Sequence, residues 1–180
     1  MNSKLKTQNS KLAFIALGSN LGDSRQIIVG AMAELQRLSD EPILKSSLWQ
    51  TSPVDCPPGS PKFVNAVVGF IPRPDETPES LLAKLQELQK VFGRRPKKIL
   101  NEPRPLDLDL VAFGDEKRNT PELILPHPRA HERRFVLRPL SEIAPELVLP
   151  GQGKTVAELL EELTTDEVIT PLGPDAGADD

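Results

Sequence analysis

The segment from Pro103 to Phe113 constrains the fold more than any other part of the chain. It reads Pro-Arg-Pro-Leu-Asp-Leu-Asp-Leu-Val-Ala-Phe, and this alternation is typical of a β-strand. Side chains alternate across a strand, so Asp107 and Asp109 share one face, about 6.6 Å apart along the chain. Carboxylates this close favour a hard cation, and Mg²⁺ is commonly held by one or two carboxylates plus substrate phosphates. A half-buried strand with an acidic outer face would give the same pattern, so the pair alone leaves both interpretations open.

Basic side chains concentrate on both sides of this strand, although the formal net charge of the chain is -4. Those before it are Arg94, Arg95, Lys97, Lys98 and Arg104, and those after it are His127, Arg129, Arg133, Arg134 and Arg138. A solvated charge run is the ordinary explanation for either cluster alone. Cations on both sides of a carboxylate pair indicate a polyphosphate held by Arg and Lys on one side and by a metal on the other.

Length and composition indicate one globular domain of 180 residues. The acidic balance disfavours a nucleic-acid or membrane-surface binder, because phosphate backbones attract extended basic surfaces. Cys56 is the only cysteine, and the apolar run from 12 to 17 is too short for a secretory signal or a spanning helix. We therefore expect a cytoplasmic protein.

Strand and helix patterns alternate between residues 12 and 163. The predicted strands span 12–17, 43–51, 63–71 and 106–113, and the predicted helices span 23–38, 77–93 and 155–163. Residues 1–11 are polar and basic, and residues 164–180 are rich in Gly, Pro and acidic side chains. The sequence thus predicts one domain over 12–163 between two disordered tails.

Two other motifs are weaker than they look. Residues 151–155 read Gly-Gln-Gly-Lys-Thr, but the full phosphate-binding loop needs a Gly where Val148 stands. Thr155 is better explained as a helix cap. His127 and His131 are four positions apart, but no Glu follows His127 as in a zincin. A zinc site is therefore not predicted.

Six segments together resemble hydroxymethyl-dihydropterin pyrophosphokinase, an enzyme family of the folate pathway. They are Gly18-Ser19-Asn20-Leu21-Gly22, Phe63-Val64-Asn65-Ala66-Val67, Gly93-Arg94, Pro103-Arg104-Pro105-Leu106-Asp107-Leu108-Asp109-Leu110, Pro126-His127-Pro128-Arg129 and His131-Glu132-Arg133-Arg134-Phe135. Their order and approximate spacing match the family over about residues 12–163. One segment would be weak, but the acidic strand with both downstream segments is specific.

The resemblance implies an α+β fold, namely a single-domain αβα three-layer sandwich of ferredoxin-like plait type. It implies ATP-dependent transfer of a pyrophosphoryl group to 6-hydroxymethyl-7,8-dihydropterin, giving the pterin diphosphate and AMP. Two Mg²⁺ ions and ATP as co-substrate are implied as well. We expect a monomer with no nucleic-acid or membrane partner, and association with other folate-pathway enzymes stays open.

Carried over by position, the resemblance implies three groups of site residues. The catalytic group is Arg94, Arg104, Asp107 and Asp109, with the two aspartates as Mg²⁺ ligands. The pterin-binding group is Thr51, Pro53, Val54, Phe63, Asn65 and Phe135, in which the two phenylalanines sandwich the ring. The ATP-binding group is Arg94, Arg104, His127 and Arg133.

Departures from the family pattern fall around the phosphate-binding loop. Gln89 stands where Glu is usual, Pro96 replaces an Arg, and Glu102 adds a negative charge. They concern loop closure and ATP affinity rather than the metal ligands. Two alternatives stay open: an ATP-dependent kinase for another small alcohol, which would release ADP, and a non-catalytic plait module that binds ligands or partners through residues 52–62.

Overall fold

The computed structural model describes residues 11–53, 56–93 and 102–173. The strands are β1 Ala13–Ser19, β2 Leu44–Lys45, β3 Trp49–Thr51, β4 Phe63–Phe70, β5 Asp107–Phe113, β6 Arg118–Asn119, β7 Ile124–Leu125 and β8 Ile169–Pro171. The helices are α1 Ser24–Gln36, α2 Pro78–Val91, α3 Arg134–Ile143 and α4 Val156–Glu162, with a 3-10 helix at Ala130–Glu132.

Six of these strands form one antiparallel sheet in the order β5-β1-β4-β3-β8, and β2 pairs with β4 beside β3. The register sets Gly18 of β1 opposite Asn65 of β4 and opposite Asp107 of β5. Predicted site residues of β4 and β5 thus lie on the two sides of β1 at one end of the sheet.

Helices cover both faces of the sheet, so the domain has an αβα arrangement. On one face the apolar stripes of α1 and α2, among them Ile28, Leu35, Leu81 and Leu85, pack on the sheet. On the other face α3 and α4 pack on the sheet through Val136, Leu137, Leu140 and Val156. Alternation along β5 sends Leu108 and Leu110 to the first core and Val111 to the second.

Most predicted elements are confirmed, with ends shifted by a few residues. Caps fix the helix starts: Asp23 caps α1, and capping boxes at Thr77 and Thr155 begin α2 and α4. The predicted strand 43–51 is instead divided into β2 and β3. Between them the hydroxyl of Ser46 accepts from the N–H of Val67 at 2.9 Å, which replaces a backbone ladder bond.

Two corrections concern the second half of the chain. Helix α3 is not among the predicted helices, and it contains Pro139, a residue that disfavours a helix interior. The predicted disordered tail is wrong over residues 164–173, because Ile169–Pro171 forms β8 and pairs with β3. Residues 1–10 and 174–180, the rest of the two predicted tails, lie outside the described residues.

Within the described ranges, every helix is too short or too polar to cross a membrane.

Candidate functional site

A cavity of about 510 Å³ lies at the end of the sheet where β1 and β3 finish and β4 and β5 begin. Among the predicted site residues, those that line it are Thr51, Phe63, Asn65, Arg104, Asp107, Asp109, His127, Arg133 and Phe135. Pro53 is described but is not among the lining residues, and Val54 and Arg94 lie outside the described residues. All three predicted groups of site residues are therefore represented around one cavity.

The two aspartates of β5 are half-buried and face this cavity. Their neighbours across the strand pair are Gly18, which has no side chain, and Ala16, which has only a methyl group, so this pair leaves room above the sheet. Between the aspartates, the N–H of Leu108 donates to Gln89 Oε1 of α2 at 2.7 Å. Helix α2 therefore fixes the acidic strand from its outer edge.

The chemistry of these donors fits a hard divalent cation. The described residues contain no group of three or more His, Cys, Asp and Glu side chains that could hold a metal ion. Asp107 and Asp109 would supply carboxylate oxygens only, and two carboxylates completed by phosphate oxygens and water are a usual environment for Mg²⁺.

Asn20 fixes Arg104 just before the start of β5. The N–H of Arg104 donates to Asn20 Oδ1 at 2.8 Å, and the N–H of Asn20 donates to the carbonyl of Arg104 at 3.1 Å. The guanidinium lies 5.3 Å from the ring centre of Phe63, with Nε 3.9 Å from an oxygen of Asp107. Nε is buried without a hydrogen-bond partner in the described structure, so an anion here would satisfy it.

The amide of Asn65 is fixed in one orientation by two neighbours. Thr51 Oγ1 donates to Asn65 Oδ1 at 2.6 Å, and Asn65 Nδ2 donates to the carbonyl of Leu17 at 3.3 Å. Gly18 makes this approach feasible, because a Cβ there would lie 3.0 Å from Asn65 Nδ2 and 3.5 Å from Phe63. A flat polar ligand would therefore meet a preset donor and acceptor edge beside an aromatic ring.

His127 lines the cavity beside β5, where its backbone N–H donates to the carbonyl of Val111 at 2.8 Å, and its ring is neutral near pH 7. Burial lowers its pKa below the ordinary value of 6.5, and the charge of Arg133 lowers it further, against a smaller opposing effect of Asp107. Its Nδ1 accepts from the N–H of Arg129 at 3.2 Å. The proton of the neutral ring therefore sits on Nε2, which is a hydrogen-bond donor.

Phe135 lies at the start of α3, with the guanidinium of Arg133 5.4 Å from its ring centre. Each of the two cavity phenylalanines thus carries an Arg side chain over one face. Cations suited to phosphates consequently lie directly beside rings suited to stacking.

Several further residues of the cavity were not predicted as site residues. Besides Ala16, Leu17, Gly18 and Leu108 of the central strands, they are Ser52, Leu82, Gln86, Gln89, Arg129, Glu132 and Glu167. Gln89 was noticed as a departure and Arg129 as part of a basic cluster, whereas Glu167 lies in the segment that was assigned to a tail. No local pattern around Glu167 indicates a site, because its partners are far away in sequence.

Comparison with known proteins identifies a family for this chain. Residues 14–145 match the family model described as 7,8-dihydro-6-hydroxymethylpterin-pyrophosphokinase (HPPK). The chain is 37% identical over 163 residues to the 2-amino-4-hydroxy-6-hydroxymethyldihydropteridine pyrophosphokinase of Synechocystis sp., covering 90% of this chain and 80% of that protein. It is 36% identical to the folic acid synthesis protein fol1 of Pneumocystis carinii, covering 96% of this chain but only 23% of that longer protein.

Among solved structures, the wild-type HPPK-DHPS of Plasmodium falciparum with pteroate is similar with a TM-score of 0.65 and 14% identity. The match covers 84% of this chain and 42% of that chain, so it shows the fold of one part of a longer protein. The family model and the Synechocystis relative each cover most of this chain. The chain therefore belongs to the HPPK family, the pyrophosphokinases of folate biosynthesis.

Proposed function

We propose that this cavity transfers the pyrophosphoryl group of ATP to the hydroxymethyl group of 6-hydroxymethyl-7,8-dihydropterin. The single observation that carries the proposal is the juxtaposition, in one cavity, of a carboxylate pair and Arg104 with a ring-and-amide surface formed by Phe63 and Asn65. The hydroxymethyl oxygen would bond to the β-phosphorus while the bond from that phosphorus to the α-phosphate oxygen breaks. AMP leaves, and the hydroxyl proton is released.

The pterin would stack between Phe63 and Phe135, since offset stacking suits a flat heteroaromatic ring. The Asn65 amide and Thr51 would read the polar edge of the pterin, and their mutual hydrogen bond of 2.6 Å supports a preset geometry. Polar groups fixed in this way favour a ligand whose edge carries the complementary donors and acceptors. A ligand without that edge would leave a buried polar group of the protein unpaired. Pro53 and Val54 remain part of this proposed subsite from the family resemblance.

Asp107 and Asp109 would hold Mg²⁺, two ions by the family resemblance. These carboxylates would hold the metal beside the phosphates, where its positive charge would offset the negative charge that develops during transfer. The chain's own part is to keep both carboxylates on one face of β5 with Gln89 bonded to the intervening N–H. The proton-bearing Nε2 of His127, with Arg104, Arg133 and Arg94, would contact the nucleotide and its phosphates.

A direct assay tests the proposal. Purified protein is incubated with ATP, Mg²⁺ and hydroxymethyl-dihydropterin, and the nucleotide products are resolved with and without the pterin. We expect AMP that depends on the pterin. Pterin-dependent ADP would indicate a simple kinase. Binding of either substrate without any turnover would indicate a non-catalytic binding module.

The finer architecture belongs to the same proposal. The chain order of β1, β3, β4 and β5, their antiparallel pairing and their spatial order β5-β1-β4-β3 support a ferredoxin-like plait. The cytoplasmic location is proposed from the single cysteine, and a monomer is proposed alongside the family resemblance. The longer relatives, among them the HPPK-DHPS of Plasmodium falciparum, support association with other folate-pathway enzymes, which co-purification from cell extract at low salt would test.

A further inference from the structure

The segment of residues 164–173, here called the C-terminal strap, connects two sides of the cavity. On one side it pairs with β3: Thr51 lies opposite Ile169. Beside that pair, the N–H of Ser52 donates to the carbonyl of Val168 at 3.0 Å, and Val168 N–H donates to Ser52 Oγ at 3.2 Å. The strap is therefore attached to the strand end that carries the polar Thr51.

On the other side, Glu167 of the strap caps the start of α3. Its Oε2 accepts from the N–H of Arg134 at 2.8 Å and from the N–H of Phe135 at 3.3 Å. Arg133, at the N-cap position, makes no side-chain capping bond of its own. A carboxylate at a helix start satisfies otherwise unpaired donors and interacts favourably with the helix dipole.

The Arg134 side chain holds the strap in this place. Its Nη1 donates to the carbonyl of Glu167 at 3.2 Å, and its Nη2 donates to the carbonyl of Leu163 at 3.3 Å. Residue 134 therefore bonds both the backbone and the carboxylate of the strap. Glu167 is half-buried and itself lines the cavity.

We propose that Glu167 is a positioning residue for the pterin subsite, a role that rests on the proposed function. By bonding the N–H of Phe135 while its chain neighbour Val168 bonds Ser52, it sets the distance between the Phe135 ring and the polar edge at Thr51. A flat heteroaromatic ligand needs that spacing. Among the proposed nucleotide contacts, Arg104 and the two aspartates lie on other elements, whereas Arg133 directly precedes the two residues that Glu167 caps.

The test compares three substitutions by calorimetry with hydroxymethyl-dihydropterin and with ATP plus Mg²⁺. Glu167→Ala removes the cap, and we expect the pterin Kd to rise about tenfold and the ATP Kd to rise by clearly less, because Arg133 is the one proposed nucleotide contact that adjoins the capped residues. Glu167→Gln keeps an acceptor oxygen and shifts the pterin Kd in the same direction by less. Asp166→Ala removes an exposed carboxylate one position away and should leave both values unchanged.

A double substitution separates positioning from general loosening. If Glu167 acts through the ring, Glu167→Ala should weaken pterin binding much less in a Phe135→Ala background than in the native chain. Equal pterin affinity for the native chain and both Glu167 variants would overturn the role. It would also be overturned if Glu167→Ala weakened pterin binding as much in the Phe135→Ala background as in the native chain. Failure of the native chain to bind pterin at all would instead overturn the proposed function and this role together.

Discussion

The two sides of the cavity are built by different means. The strand wall comprises residues on or beside paired strands: Gly18, Phe63, Asn65, Asp107 and Asp109. The helix wall comprises residues of one loop and one helix start: His127, Arg133 and Phe135. Backbone ladders hold the strand wall, whereas the α3 part of the helix wall is held by the packing of Val136 and Leu137 in the core and by hydrogen bonds to Glu167. We infer that the metal-binding chemistry belongs to the strand wall, whereas both walls contribute to ligand binding.

The largest expected effect comes from the acidic part of the strand wall. Asp109→Ala should lower kcat/KM by on the order of 10³-fold, because the carboxylate would hold the metal in the transition state. The melting temperature should change by no more than a few degrees, since β5 keeps its ladder. Asp115→Ala, at an exposed acidic position beyond β5, is the matched control. Full activity of the Asp109 variant would refute the metal assignment.

On the helix wall, Phe135→Ala should weaken binding rather than chemistry. We expect the pterin Kd to rise about tenfold, close to the value of a lost aromatic pair, with the ATP Kd nearly unchanged. Calorimetry with each ligand separately measures both constants. Equal losses for the two ligands would contradict the stacking role and remove the distinction between the walls.

Gly18→Ala tests how rigid the strand wall is. The new Cβ would lie 3.0 Å from Asn65 Nδ2, and that amide cannot move without breaking its bonds to Thr51 and Leu17. We expect a loss of about 1–2 kcal/mol in the free energy of unfolding and a few-fold rise in the pterin Kd. Gly153→Ala, where a Cβ meets nothing within 4 Å, is the control. If Gly18→Ala changed neither the free energy of unfolding nor the pterin Kd, the strand wall would be flexible enough to accommodate the added methyl group.

The smallest effect concerns pH and His127. Its folded pKa is lowered below 6.5 by burial and by Arg133, so the folded state disfavours the charged ring. The free energy of unfolding that depends on His127 is therefore at its full value above pH 6.5, where the ring is neutral in both states. It decreases as the pH falls from 6.5 through the folded pKa, because the unfolded chain takes up the proton more readily. Relative to His127→Gln, the native chain should be less stable at about pH 5.5 than at about pH 7.5 in urea unfolding. A pH-independent difference would exclude a buried neutral ring.

Local patterns in the sequence predicted the strand wall better than the helix wall. Alternation along β5 suffices to set Asp107 and Asp109 on one face, because strand geometry leaves no other arrangement. Helix α3 is hidden by Pro139, which in isolation predicts a break. The pairing of β8 has no local signal, since Ser52 and Val168 are 116 positions apart. The residue roles carried over from the family stay predictions, although most of those residues line one cavity.

Strand β8 also has a consequence for solubility. It covers the edge of β3, which would otherwise present its backbone groups to another chain. The covering strand is only three residues long and ends in Pro171, which has no N–H to donate to a further strand. The sheet thus terminates in a poor template for intermolecular pairing. Chains cut before residue 164 should accordingly self-associate at concentrations where the intact chain stays dispersed, which light scattering would detect.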